Sequence, residues 1–157
     1  MKLCILILLL CNAVYISAQV GLRSVAVKGT LKCGKNAAEN VHVRLLRVTP
    51  EGKKSKEEDI AKEILDTRIT GPSGMFDLSG NTQGRAVNET MIENPAIAIY
   101  HQCDDPKDTK GFRRVVIKIP PTIVAQTRTP KKTHDIGTLN LEIIYPGEQR
   151  DKNFKPT

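Results

Sequence analysis

The 157-residue chain contains no tryptophan, aromatic residues make up 4% of it, and there are three histidines, three phenylalanines and four cysteines. Each scarcity narrows the reading. With so few rings, the core has to be built mainly from Val, Ile and Leu. Three scattered histidines, His42, His101 and His134, are too few for a histidine-rich catalytic centre. None sits in the nucleophile-and-base pairing that acyl transfer needs. His101 and Cys103 lie two apart and would share a strand face, but a zinc site takes three or four ligands and no second cluster follows. No catalytic residue, metal or cofactor is expected. Nor is there a long helical period, and beyond the first residues no run is apolar enough to span a bilayer.

The apolar run that does occur is at the start. Met1 and Lys2 precede an unbroken Leu3 to Leu10, and Ile16-Ser17-Ala18 ends in a small residue before Gln19. That layout predicts a secretory signal peptide over 1–18, with no transmembrane segment and an extracellular product. Its removal leaves 139 residues, enough for one domain with its own core. It also takes Lys2 and no acid, so the formal charge falls from +7 to +6. A basic surplus outside the cell favours anionic lipid, sulfated glycan or an acidic protein as partner. Nucleic acid is not expected, because acids alternate with the bases and export removes the chain from it. Cys4 and Cys11 leave with the leader. Cys33 and Cys103 remain, and one internal disulfide is the default in an oxidising compartment, with two free thiols or a bond to another chain as the alternatives.

Seven stretches read as strands. Ser24 to Cys33 alternates Val25, Val27, Leu31 and Cys33 against Ala26, Lys28, Thr30 and Lys32, with Gly29 marking a bulge or a close backbone approach. Val41 to Val48 follows a turn at Gly34-Lys35-Asn36. Residues 49–59 are hydrophilic and turn-rich. Ile60 to Leu65 is ambiguous between a helical turn and extended chain, and 63–70 reads as strand. Met75 to Leu78 follows the turn G-P-S-G, and 79–94 is a polar connection. Pro95 to Cys103 is a strand ending in a cysteine. Phe112 to Ile119 stops at Pro120-Pro121, residues that cannot continue a ladder. Ile136 to Tyr145 is the last strand, with Leu139, Leu141 and Ile143 inward. The expected organisation is a single antiparallel β-sandwich over 19–147, followed by a flexible charged tail over 148–157.

Two kinds of surface site are candidates. Asn88-Glu89-Thr90 is an N-glycosylation acceptor in a polar connection. Lys28 and Lys32 share the outward face of one strand, while Lys107, Lys110, Arg113 and Arg114 gather at the start of another. These six are candidate ligands for an anionic headgroup or sulfated glycan, with Lys131 and Lys132 as extensions.

Four segments carry a family likeness: V-A-V-K-G-T-L-K-C-G-K-N-A-A-E-N-V-H-V-R-L at 25–45, G-M-F-D-L-S-G at 74–80, A-I-Y-H-Q-C at 98–103 and T-H-D-I-G-T-L-N-L-E at 133–142. In this order, behind a leader, they closely resemble the nematode transthyretin-like secreted proteins. The resemblance implies a transthyretin (prealbumin)-like sandwich of two antiparallel sheets and an extracellular, non-enzymatic role. It implies that Cys33 and Cys103 occupy the family's two cysteine-bearing motifs. At least one member bridges phosphatidylserine on dying cells to an engulfment receptor, so an anionic lipid or another cell-surface partner is the leading expectation. An oligomeric carrier of a small apolar ligand is the alternative, with a structural or signalling role as a third. The same fold hosts a hydrolase of 5-hydroxyisourate, but this chain ends F-K-P-T where that enzyme resembles Y-R-G-S, and the early strand lacks its histidine. Hydrolysis is therefore not expected.

Overall fold

The computed structural model describes residues 21–50 and 57–156, so the leader expected over 1–18 and most of the hydrophilic segment 49–59 lie outside the described residues. Two sheets face each other. The first is centred on β1 (Ser24–Cys33), which pairs antiparallel with β2 (Asn36–Ala37) and β5 (Met75–Asn81) and parallel with β8 (Thr133–Asn140). The second runs in the order β4 (Ile64–Ile69), β3 (His42–Leu46), β6 (Ala96–His101), β7 (Phe112–Lys118), β9 (Gln149–Asp151), every pair antiparallel. A short helix, α1 (Glu57–Lys62), precedes β4.

Period-two patterning explains the interior. Val25, Val27, Leu31, Phe76 and Leu78 from the first sheet meet Val43, Leu45, Ile97, Ile99 and Val115 from the second in one buried cluster. In β5 the alternation is complete: Phe76 and Leu78 are buried while Met75, Asp77 and Ser79 are exposed. Gly29 sits where the β1–β8 register shifts between Lys28 and Thr30. That irregularity is the bulge of the two alternatives read from the sequence, and a Cβ there would lie 2.6 Å from a side chain, at Ile136 Cγ1, not from another backbone. Gly74 closes the turn into β5 at φ +69°, and a Cβ would fall 2.2 Å from the Leu31 carbonyl oxygen.

Three features depart from the expected layout. The last long strand is Thr133–Asn140 and not 136–145, because the Asn140 side chain accepts hydrogen bonds from Gly34 N (3.0 Å) and Glu142 N (3.2 Å) and turns the chain. Leu141 stays buried, but Ile143, expected inward, is 57% exposed. The strand also joins β1 in parallel, after residues 119–132 cross from one sheet to the other at the end of the sandwich where Ser24 and Ala125 exchange backbone hydrogen bonds. Finally, of the segment 148–157, expected as a loose tail, the described residues 148–156 are tied down. They supply β9 and bury Phe154 on the outer face of the second sheet.

That outer face has a core of its own. Leu46, Ile60, Ala98, Tyr100 and Phe154 are buried there, with Ile64, Phe112 and Val116 packed against them. Strand β6 is buried on both sides along its whole length. Burial of both faces is why A-I-A-I-Y-H shows no polar alternation.

Candidate functional site

At one end of the sandwich, Cys33 at the close of β1 and Cys103 just beyond β6 form a disulfide with 5.7 Å between Cα atoms, which ties the two sheets together. Arg113, the register partner of His101, lies beneath it. Its Nη1 donates to the Cys103 carbonyl (3.0 Å), its Nη2 to Ile143 O and Glu148 Oε2 (3.2 Å each), and its Nε to Glu148 Oε1. The guanidinium thus clamps the loop 141–148 over the disulfide. Burial pushes the Glu148 carboxyl up, but the Arg113 hydrogen bonds, the Tyr145 N–H and the Arg113 charge hold it below its ordinary value.

His101 is 2% exposed in this corner. Its Nδ1 accepts from Cys103 N (3.3 Å), so the neutral ring carries its proton on Nε2, which has no protein partner among the described residues. Burial first, then the Arg113 charge, lowers its pKa from 6.5 to about 4, with Glu148 and Asp105 raising it and Arg150 lowering it by smaller amounts. A histidine depressed in the folded state leaves the unfolded chain binding more protons between those two values. Stability is therefore full above about pH 6.5 and falls as pH drops towards 4, by about 3 kcal/mol from this group. Unfolding midpoints measured across that window should show the slope, and His101→Gln should flatten it. A flat wild-type profile from pH 6.5 to 4 would contradict this account.

The six candidate anion ligands do not form one site. Arg113 and Arg114 are a correction. Both are buried, at 9% and 5% exposure, and both engage the chain's own C-terminal segment. Arg114 donates to Gln149 Oε1 (3.0 Å) and pairs with Asp151 at 3.6 Å. The segment expected as a loose tail supplies the acids that these two guanidinium groups meet. Lys28 and Lys32 are exposed as expected, but Lys28 stands between its cross-strand neighbours Asp77 and Asp135 and pairs with Asp135 at 3.6 Å. A shallow open groove of about 320 Å³ runs beside it, over Thr30 and Met75. Lys107 and Lys110 are exposed in the loop after Cys103, among Asp104, Asp105 and Asp108. Asn88 is exposed in a short 3-10 turn, Val87–Glu89.

A different set lies on an acid-free stretch of the sequence. From Thr109 to His134 the sequence has seven Lys and Arg and no Asp or Glu. Arg113 and Arg114 serve the fold and Lys110 lies at the disulfide end. Lys118, Arg128, Lys131 and Lys132 are exposed on the crossing between sheets and its flanks, at the opposite end of the sandwich. None has an ion-pair partner among the described residues. The acid-free run is the signal in the sequence that marks them.

The outer face of the second sheet holds a feature that reading the sequence missed. The Phe154 ring stacks on Tyr100 (centroids 4.0 Å apart, 15° between planes) and meets Phe112 and His42 edge-on at 5.0 and 5.3 Å. The Arg44 guanidinium lies 4.6 Å from the Phe154 centroid and 5.1 Å from that of Tyr100. Burial, with the Arg44 charge, lowers the His42 pKa.

Comparison with known proteins agrees with this architecture. The sequence model of the transthyretin-like family (TTR-52) matches residues 28–120. Transthyretin-like protein 46 of Caenorhabditis elegans is 36% identical over 132 residues, covering 82% of this chain and 65% of its own length, so the chain spans just under two thirds of that relative. Transthyretin-like protein 33 of the same organism is 33% identical over 138 residues, covering 86% of this chain and 85% of its own. Transthyretin-like protein 5 is 30% identical over 148 residues. With two facing, mainly antiparallel sheets and a matching sequence over most of its length, the chain belongs to the transthyretin-like family.

Proposed function

We propose that this protein is a secreted, non-enzymatic binding protein that recognises anionic lipid headgroups at a cell surface. The observation that carries the reading is the set Lys118, Arg128, Lys131 and Lys132, exposed on an acid-free segment at one end of the sandwich. Cations near an anionic surface contribute about 1 kcal/mol each. Four give about 4 kcal/mol, an affinity near 1 mM for one copy. Binding of this kind is weak, reversible and screened by salt. In this reading residues 1–18 are a leader removed on export and Asn88, on its exposed turn, is glycosylated.

The protein should sediment with vesicles rich in an anionic phospholipid at low ionic strength, and lose that association as salt is raised. Equal recovery with neutral vesicles at low salt would overturn the proposal. Retention on a sulfated polysaccharide without vesicle binding would overturn the lipid assignment and make a glycan the partner.

A further inference from the structure

We propose that the outer face of the second sheet is a peptide-recognition site, filled in this structure by the chain's own C-terminal segment. In trans it takes an extended peptide with a basic–acidic pair followed, three residues after the acid, by an aromatic side chain. The chain shows what such a ligand looks like. Residues Gln149–Asp151 add to the free edge of β7 in the register Phe112↔Asp151, Arg113↔Arg150, Arg114↔Gln149. Edge addition supplies main-chain hydrogen bonds and leaves specificity to side-chain pockets.

Each pocket reads one residue. Arg150 reaches Asp105 through both terminal nitrogens, at 2.6 and 2.9 Å. Asp151 faces Arg114 with one oxygen (3.6 Å) and with the other accepts from Asn153 N (2.9 Å) and Phe154 N (3.1 Å). The acid therefore recognises a cation and also makes the turn that aims the aromatic ring. Phe154 then enters the socket formed by Tyr100, Phe112, His42 and Arg44.

Glu148 is fixed by Arg113 before β9 begins, so the loop over the disulfide does not depend on the last residues for its anchor. Beyond it the tail holds on by three strand residues, the buried Arg114–Asp151 pair, the partly exposed Arg150–Asp105 pair and one buried ring. A tethered segment competes at millimolar effective concentration, so a free peptide gains access only when the tail is weakened or outcompeted.

The test uses the full chain and a labelled peptide of residues 148–157, followed by fluorescence anisotropy. Protein carrying Phe154→Ala should bind the peptide at least tenfold more tightly than wild-type protein. Peptides carrying Asp151→Lys or Phe154→Ala should bind at least tenfold more weakly than the parent peptide. Phe154→Leu fills the socket without stacking on Arg44, and protein with that change should fall between. Equal binding to both proteins, or binding indifferent to the peptide changes, overturns the proposal. Loss of folding in both Phe154 variants overturns it too, since the segment would then be core and not an exchangeable ligand.

Discussion

Arg113→Ala is expected to lower the unfolding free energy by about 3–5 kcal/mol, the cost of leaving one partner of a buried ion pair alone. Four hydrogen bonds end on that guanidinium, and its removal strands the Glu148 carboxylate together with the Cys103 and Ile143 carbonyls. Lysine cannot reproduce the two-pronged geometry, so Arg113→Lys should recover only part of the loss. Urea unfolding of wild type, Arg113→Ala, Glu148→Ala and the double variant would give the coupling between the two residues. It should exceed 1 kcal/mol. A cost below 1 kcal/mol, accompanied by weakened vesicle binding, would instead make Arg113 the surface ligand that the sequence suggested.

Replacing Cys33 and Cys103 together by alanine should cost about 4 kcal/mol, because the bond closes a 70-residue separation in the unfolded chain. For a domain of this size that corresponds to roughly 15 °C in the unfolding midpoint. It is a large share of the 5–15 kcal/mol typical of a folded domain, so the variant should unfold near physiological temperature. The bond joins the end of β1 to the residue after β6 and so holds the two sheets in register with each other. Calorimetry on oxidised wild type and the double variant measures the difference. Coincident midpoints would show that the sheets need no staple.

The sandwich was readable from local pattern because one buried face imposes a period of two on a strand. Ser24–Cys33 and Met75–Asn81 carry that signature openly. What pattern cannot reveal is the partner. Nothing within T-H-D-I-G-T-L-N tells a parallel neighbour from an antiparallel one, and the pairing depends on how residues 119–132 cross between sheets. Gln149–Asp151 is too short to show alternation, and Phe154 is a lone ring in a charged stretch. The unalternating A-I-A-I-Y-H was a clue that something covers the outer face of the second sheet, but not that the C-terminus does. Charge behaves the same way. Arg114 and Lys118 look equivalent in sequence, yet one is buried against Asp151 and Gln149 while the other is exposed. The acid-free interval from Thr109 to His134 was visible throughout, and it became informative once the structure separated its buried members from its exposed ones.

The division between cations that serve the fold and cations left for recognition is tested most directly by one comparison. Full-length protein carrying Arg128→Glu, Lys131→Glu and Lys132→Glu is measured beside wild type for sedimentation with anionic vesicles at low salt and for its unfolding midpoint. Surface reversals away from packed groups change stability by only about 0.5 kcal/mol each. The predicted result is a midpoint within a few degrees of wild type and vesicle binding reduced to the level seen with neutral lipid. Undiminished binding by this variant, with loss of binding on Lys107→Glu and Lys110→Glu instead, would contradict the account.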